Sequence, residues 1–374
     1  MDFPMPDRPS LTTLAQSLPS TVPFVGPETQ ERQRGRQFRA RIGANENGFG
    51  ASPKVAQAIA AASSEMWKYC DPENFELRNL IAAHHGVAPD NIMVGEGIDG
   101  LLGLIVRLFV EPGQTVVSSL GAYPTFNYHV AGFGARLVTV PYRDDREDLD
   151  ALLDAVRRER PAIVYFANPD NPMGTWWDGA DVQRFIEALP ATTLLVLDEA
   201  YCDMAPASAI PTLETSRANV LRMRTFSKAY GLAGMRCGYA IGEADNIRAF
   251  DKVRNHFGMS RMTQVAAAAA LSDQKWLAET VRRIASARDR ITQIAADNGL
   301  AALPSAANFV AIDCGADGAY ALKVMQALIA RDVFVRKPMA PVLDRCIRVS
   351  CGPDDQLDIF AEELPGVLAA ARGN

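Results

Sequence analysis

Four short stretches hold side chains that could do chemistry together. Leu194-Leu-Val-Leu-Asp198-Glu-Ala-Tyr201 is an apolar run that ends in a carboxylate. An acid in that setting loses hydration and needs a cation beside it. Thr225-Phe-Ser227-Lys228-Ala-Tyr-Gly-Leu-Ala-Gly-Met-Arg236 sets a lysine among small and apolar residues, and a lysine desolvated by such neighbours is a nucleophile able to form a Schiff base. Gly95-Glu-Gly97-Ile-Asp-Gly100 follows an apolar run and opens a helical one, so its free backbone N–H groups and helix dipole could hold a phosphate. Asn168-Pro-Asp-Asn171-Pro-Met-Gly-Thr175 has two Asn-Pro steps directly after a strand. They enforce a rigid turn, open to a cis bond, at a strand end where ligands of open α/β sheets bind.

Taken singly, each stretch has a plainer reading: a buried acid, an exposed lysine, a tight turn, a sharp loop. The glycine turn also matches the dinucleotide-binding spacing, but that fingerprint needs an acid about 20 residues on. Here the next strand ends in Ser118-Ser119-Leu120. In combination the stretches offer an anchor for a phosphate, a counter-ion for a ring nitrogen and an amine for an aldehyde. Those are the needs of a pyridoxal cofactor.

The elements that must position these residues alternate along the chain. Strand candidates at Asn91–Val94, Thr115–Val117, Arg136–Val140, Ala162–Ala167, Thr193–Leu197, Val220–Met223 and Gly238–Ile241 are interleaved with helical periods at Ile98–Phe109, Pro124–Phe133, Leu149–Arg158 and Asp181–Leu189. This order predicts an α/β fold with a mostly parallel sheet covered by helices on both faces. Beyond Arg261 a long helical region, Val265–Asn298, precedes two strand candidates at Phe309–Ile312 and Ile347–Val349, which reads as a smaller α+β domain. The first forty residues are rich in proline and polar groups and are expected to wrap over a neighbour. The resulting division is an arm at 1–44, a large domain at 45–260 and a small C-terminal domain at 261–374.

With 374 residues, 48% hydrophobic and 22% charged, the chain can bury two cores. A formal net charge of −6 without a basic run argues against nucleic acid or an anionic membrane surface as partner. The apolar stretch Leu101–Val110 is too short to span a bilayer and is interrupted by Arg107. Asp2, Asp7 and three prolines stand where a secretion signal would need a basic start and an apolar block. The six cysteines are scattered, without Cys-x-x-Cys pairs, and only four histidines are present. The expectation is therefore a cytoplasmic protein with buried thiols and no metal centre.

The strand-end Asp198-x-x-Tyr201, Ser227-Lys228 followed eight residues later by Arg236, and the Asn171-Pro turn resemble the class I/II aminotransferases of the fold-type I pyridoxal-phosphate superfamily. Within that family the histidinol-phosphate aminotransferases are the best match. The resemblance runs from Ala44-Asn-Glu-Asn47 to Ile347-Arg348-Val.

It implies that Lys228 carries the cofactor and shuttles the proton, that Asp198 keeps the pyridine nitrogen protonated, and that Tyr201 and Asn171 hold the 3-oxygen. It further implies that Tyr123 stacks on the ring and that Gly97, Ile98, Asp99, Thr225, Ser227 and Arg236 hold the phosphate. Tyr69 would reach the neighbouring subunit's site in a homodimer with shared active sites. Arg348 would anchor the substrate carboxylate, with Arg336, Asn47 and the arm residue Phe24 also on the substrate side.

Three departures stand out: Gly48-Phe49 where the family has Pro-Tyr, Met173 for its threonine, and Phe24 for a tyrosine near the substrate phosphate. The implied reaction is transamination between an amino donor, histidinol phosphate first, and 2-oxoglutarate. Aromatic amino acids are the alternative donors, a decarboxylase of a phosphorylated amino acid is a rival within the superfamily, and a nicotinamide oxidoreductase is the rival from another class.

Overall fold

The computed structural model describes residues 9–20 and 25–372. Its twelve strands are β1 (Ala40–Arg41), β2 (Ile92–Gly95), β3 (Thr115–Ser119), β4 (Arg136–Val140), β5 (Ile163–Ala167), β6 (Leu194–Asp198), β7 (Val220–Thr225), β8 (Gly238–Ile241), β9 (Ala301–Ala302), β10 (Phe309–Asp313), β11 (Val333–Phe334) and β12 (Cys346–Ser350). Seven of them form one sheet in the order β2-β8-β7-β6-β5-β3-β4. All its pairings are parallel except those of β8, which is antiparallel to both neighbours. Successive residues of β5 and β6 enter different cores: Ile163, Tyr165, Leu194 and Val196 pack with the helix Gly97–Phe109, whereas Val164, Phe166, Leu195 and Leu197 pack with Leu149–Glu159 and Gly179–Ala188. Strands buried on both faces read as continuous apolar runs, as these do.

The small domain is built on the antiparallel order β12-β10-β9, covered by Gln274–Asp297, Gly318–Ala330 and Asp354–Arg372 in one apolar cluster. The helical region expected as one piece from Val265 is two helices, Arg261–Leu271 and Gln274–Asp297. Between them Ser272 donates its hydroxyl to Ala268 O, and the Asp273 carboxylate accepts from Ser52 and pairs with Lys54. The first helix buries Ala266, Ala267, Ala270 and Leu271 against Val55, Ile81 and Phe226. It therefore packs with the core of the large domain, although its sequence position groups it with the segment after 260. The C-terminal helix Asp354–Arg372 has Pro365 inside it, which hides its period in the sequence.

The arm is more regular than its composition suggests. It forms the helices Thr13–Ser17 and Pro27–Arg34, and β1 pairs in parallel with β11 of the small domain. Phe24 lies outside the described residues.

Candidate active site

The carboxyl ends of β5, β6 and β7 open into a cavity of about 360 Å³, at the place where open α/β sheets put ligands. Register brings the chemistry together there. Ala167 pairs with Asp198, and Asp198 with Met223, so the Asn-Pro loop, the acid and the lysine loop leave the sheet side by side. Ile98, Asp99, Tyr123, Asn171, Asp198, Tyr201, Thr225, Ser227, Lys228 and Arg236 all line this cavity.

Asp198 is buried and holds two neutral donors: the Tyr165 hydroxyl at 2.6 Å and the Ala200 N–H at 2.9 Å. Burial pushes its carboxyl up to about 6, against the pull of those two hydrogen bonds. On the opposite side of the same strand end, buried Glu199 pairs with Arg222 at 2.5 Å and with Arg224 at 2.9 Å, and these charges hold its carboxyl below the usual range despite burial.

Lys228 is half-buried, and its Nζ donates to Asn45 O at 3.1 Å, 5.6 Å from the centre of the Tyr201 ring. The Tyr201 hydroxyl accepts from Asn45 Nδ2 at 3.2 Å and from Asn171 Nδ2 at 3.4 Å. Asn171 Oδ1 in turn accepts from Arg348 at 2.6 Å. The loop that carries Asn171 has a cis Asn168–Pro169 bond and is braced by Asn168, which bonds Trp177 and Ala209, and by Asp170, which accepts from the Met173 N–H and the Tyr142 hydroxyl. The buried Asp170 carboxyl is shifted upward by desolvation.

At the other end of the cavity the helix Gly97–Phe109 starts with no side-chain cap among the described residues, so its first N–H groups are available to an anion. Gly97 has φ +75°, a conformation that favours glycine, and a Cβ there would stand 2.7 Å from the Arg236 guanidinium and displace it. Thr225 Oγ1 donates to Ser227 Oγ at 3.0 Å, and Tyr123 donates to Asp99 at 2.8 Å. An uncapped helix start, two hydroxyls and a guanidinium make a cradle that suits a phosphate group.

The residues expected on the substrate side are more dispersed. The Arg348 guanidinium lies 5.1 Å over the Phe309 ring, and its buried Nε has no partner among the described residues. Burial lowers it to about 10. Arg336 pairs with Arg348 through backbone hydrogen bonds and donates its side chain to Val25 O at 3.0 Å. Asn47 does not line the cavity; its side chain holds Ala229 O at 3.0 Å, next to the lysine. Tyr69 is also away from this cavity, 80% exposed with its ring 5.0 Å from Phe257.

Sequence reasoning passed over Asn45 and Tyr165. Strand alternation would have found Tyr165, since its partner Val196 shares a sheet face with Asp198. Asn45, at φ +56°, lies within a quoted motif, but its contacts join distant segments. Among the described residues no group of His, Cys, Asp and Glu could hold a metal ion, and no helix is long and apolar enough to cross a membrane.

A phosphate cradle, a buried acid and an amine around one cavity at the strand ends define a pyridoxal-phosphate site. The profile of the family described as aminotransferase class I and II matches residues 41–364, and the chain belongs to that family: it is a pyridoxal-phosphate-dependent aminotransferase. The histidinol-phosphate aminotransferase of Sinorhizobium meliloti, solved in complex with pyridoxal-5'-phosphate, superposes with a TM-score of 0.95 at 57% identity, over 98% of this chain and 99% of that one. The histidinol-phosphate aminotransferase of Geobacillus sp. (strain WCH70) is 34% identical over 96% of this chain and 98% of its own. Histidinol-phosphate aminotransferase 1 of Mesorhizobium japonicum is 36% identical over 88% and 90%. The dinucleotide reading of the glycine turn falls with this assignment.

Proposed function

We propose that the chain transfers an amino group from histidinol phosphate to 2-oxoglutarate, in the cytoplasm, as a homodimer with shared active sites. The observation that carries the reading is Arg348, a guanidinium bonded to the amide oxygen of the cavity residue Asn171, beside Arg336 on the neighbouring segment. Two guanidinium groups suit a phosphate or a carboxylate, and the similar proteins named above are histidinol-phosphate aminotransferases. Pyridoxal phosphate, when bound, supplies an aldehyde that takes up an amine and a ring that withdraws electrons.

The residues divide the remaining work. Gly97, Ile98 and Asp99 would hold the phosphate through the helix start, with Thr225, Ser227 and Arg236. Asp198, raised by burial, recovers its charge beside a protonated ring nitrogen. Tyr201 and Asn171, already in mutual contact, present donors for the 3-oxygen, and Tyr123 flanks the ring. Lys228 Nζ takes and returns the proton at the substrate Cα, while Asn45 O orients it. Tyr69, exposed beside Phe257, would complete the partner's site. The division between domains would fall near Ser272–Asp273, after the helix that packs with the large domain.

A panel of donors with 2-oxoglutarate tests the reading: histidinol phosphate should exceed phenylalanine and tyrosine in kcat/KM, and no turnover with it would refute the donor. Phe24, in place of a tyrosine, favours the aromatic donors as second reading. Phe24→Tyr should then raise histidinol phosphate relative to phenylalanine by up to about tenfold.

A further inference from the structure

Two arginines three residues apart, Arg345 at the end of the 3-10 turn Leu343–Arg345 and Arg348 on the strand β12 that follows it directly, both reach across to the large domain. Arg348 reaches Asn171. Arg345, outside the cavity, makes a bidentate pair with Asp145 at 3.0 and 2.8 Å, while its Nε donates to Asp313 at 2.7 Å at the end of β10. Asp145 belongs to the turn between β4 and the helix Leu149–Glu159. That turn is closed by reciprocal backbone hydrogen bonds between Arg143 and Arg146, with Asp144 and Asp145 both at positive φ. The same Asp145 accepts the Thr175 hydroxyl on its backbone oxygen at 2.8 Å, and Thr175 closes the Asn-Pro loop through its bond with Asp170 N–H. The contacts form a ring: Asp145 to Arg345, along β12 to Arg348, across to Asn171, along the loop to Thr175, and back to Asp145.

A ring of this kind fixes the distance between Arg348 and Asn171 from both sides. At its far end β12 is held by Ser350, whose N–H donates to Ile42 O and whose hydroxyl accepts from Asn45 N–H. Isolated surface ion pairs contribute little, but Arg345 is only 25% exposed, is bound to two carboxylates in the bidentate geometry that gives direction as well as attraction, and joins segments 200 residues apart. Neither arginine lines the cavity, but Arg348 bonds the lining residue Asn171 whereas Arg345 bonds Asp145 and Asp313, so Arg345 acts through β12.

We propose that Arg345 is a positioning residue for Arg348: its bond to Asp145 sets the small-domain strand against the Asn-Pro loop, and so sets the affinity for the carboxylate of the substrate. The proposal rests on the reading of Arg348 as a carboxylate anchor. A residue in this role governs binding of a carboxylate and leaves the proton transfer at Lys228 alone.

The test compares holoenzyme of wild type, Asp145→Asn, Asp145→Glu, Arg348→Lys and Arg290→Gln, measuring kcat and KM for 2-oxoglutarate together with the Kd of succinate, a dicarboxylate that does not react. Asp145→Asn is expected to raise KM and Kd about tenfold, with kcat within about twofold. Asp145→Glu, which keeps the charge, should recover most of the affinity. Arg290 pairs with Asp354 and Asp358 within the small domain, so its variant loses an ion pair of the same chemistry outside the ring and should leave KM unchanged. Unchanged KM and Kd in Asp145→Asn, or an equal rise in Arg290→Gln, would overturn the proposal. If Arg348→Lys itself leaves both constants unchanged, the reading of Arg348 fails, which is a separate result.

Discussion

The two sides of the cavity are built differently. On the cofactor side, Asp198, Thr225 and the Asn-Pro loop sit at the ends of adjacent parallel strands, so one sheet positions them through its backbone register. On the proposed substrate side, Arg348 and Arg336 come from separate segments, held by individual contacts such as Arg348 to Asn171 and Arg336 to Val25 O. A sheet end is held by consecutive backbone hydrogen bonds, whereas the Arg348 side depends on a few individual side-chain bonds. The chemistry thereby rests on the backbone of one sheet, and the proposed recognition on side-chain contacts between segments.

This contrast predicts that damage on the cofactor side removes turnover, whereas damage on the substrate side removes affinity. Lys228→Ala should lower kcat by on the order of 10⁴-fold, the upper range for losing a positioned proton-transfer group. It should also abolish the borohydride-reducible linkage to the cofactor, and a reducible adduct that persisted would assign the amine elsewhere. Asp198→Asn should bind cofactor and lose about 10²- to 10³-fold in kcat, because a neutral amide cannot stabilise charge on the ring; stopped-flow measurement of the first half-reaction reads this directly. Arg348→Lys should instead raise KM for the 2-oxo acid about 10- to 100-fold with a small change in kcat, since a fork of donors becomes a point charge. Were kcat to fall as steeply as in the Asp198 variant, the two sides would not be separable in this way.

The smallest effect is on stability. The Asp198 carboxyl lies at about 6 in the fold against an ordinary 3.8. The folded state therefore binds this proton more tightly than the unfolded chain does. Its contribution is fully present below pH 4 and is lost as pH rises through about 6. The difference is on the order of 3 kcal/mol at most. Cofactor-free Asp198→Asn should accordingly melt above the cofactor-free wild type at pH 8 and close to it at pH 4. Equal melting at both values would mean that the acid is not strained by burial.

Legibility followed the same division. The strands β2 to β6 were readable because each is a short run between helical periods, β7 and β8 because they continue the same succession of strands, and the cofactor-side residues because their motifs are continuous in sequence. Asn45 was not, since its role depends on Lys228, Tyr201 and Ser350 converging from positions far along the chain. The break at Ser272–Asp273 was hidden because Ser and Asp are tolerated on helix surfaces, and only the contacts with Ser52 and Lys54 turn them into an ending. The arm's short strand β1 was equally invisible: two residues set no period, and its partner β11 lies some 290 positions away.

The buried trio of Glu199, Arg222 and Arg224 constrains how this sequence can drift. Replacing Glu199 leaves two guanidinium groups without their carboxylate in the interior, at about 3–5 kcal/mol, a large share of the 5–15 kcal/mol that keeps a typical protein folded; losing either arginine leaves the other still paired with Glu199. Single-step neutral change at Glu199 is therefore closed, and descendants of this chain are expected to keep the acid, while either arginine has more room to vary. The shared carboxylate is the fixed member of the trio, lying directly behind the acid of the active site.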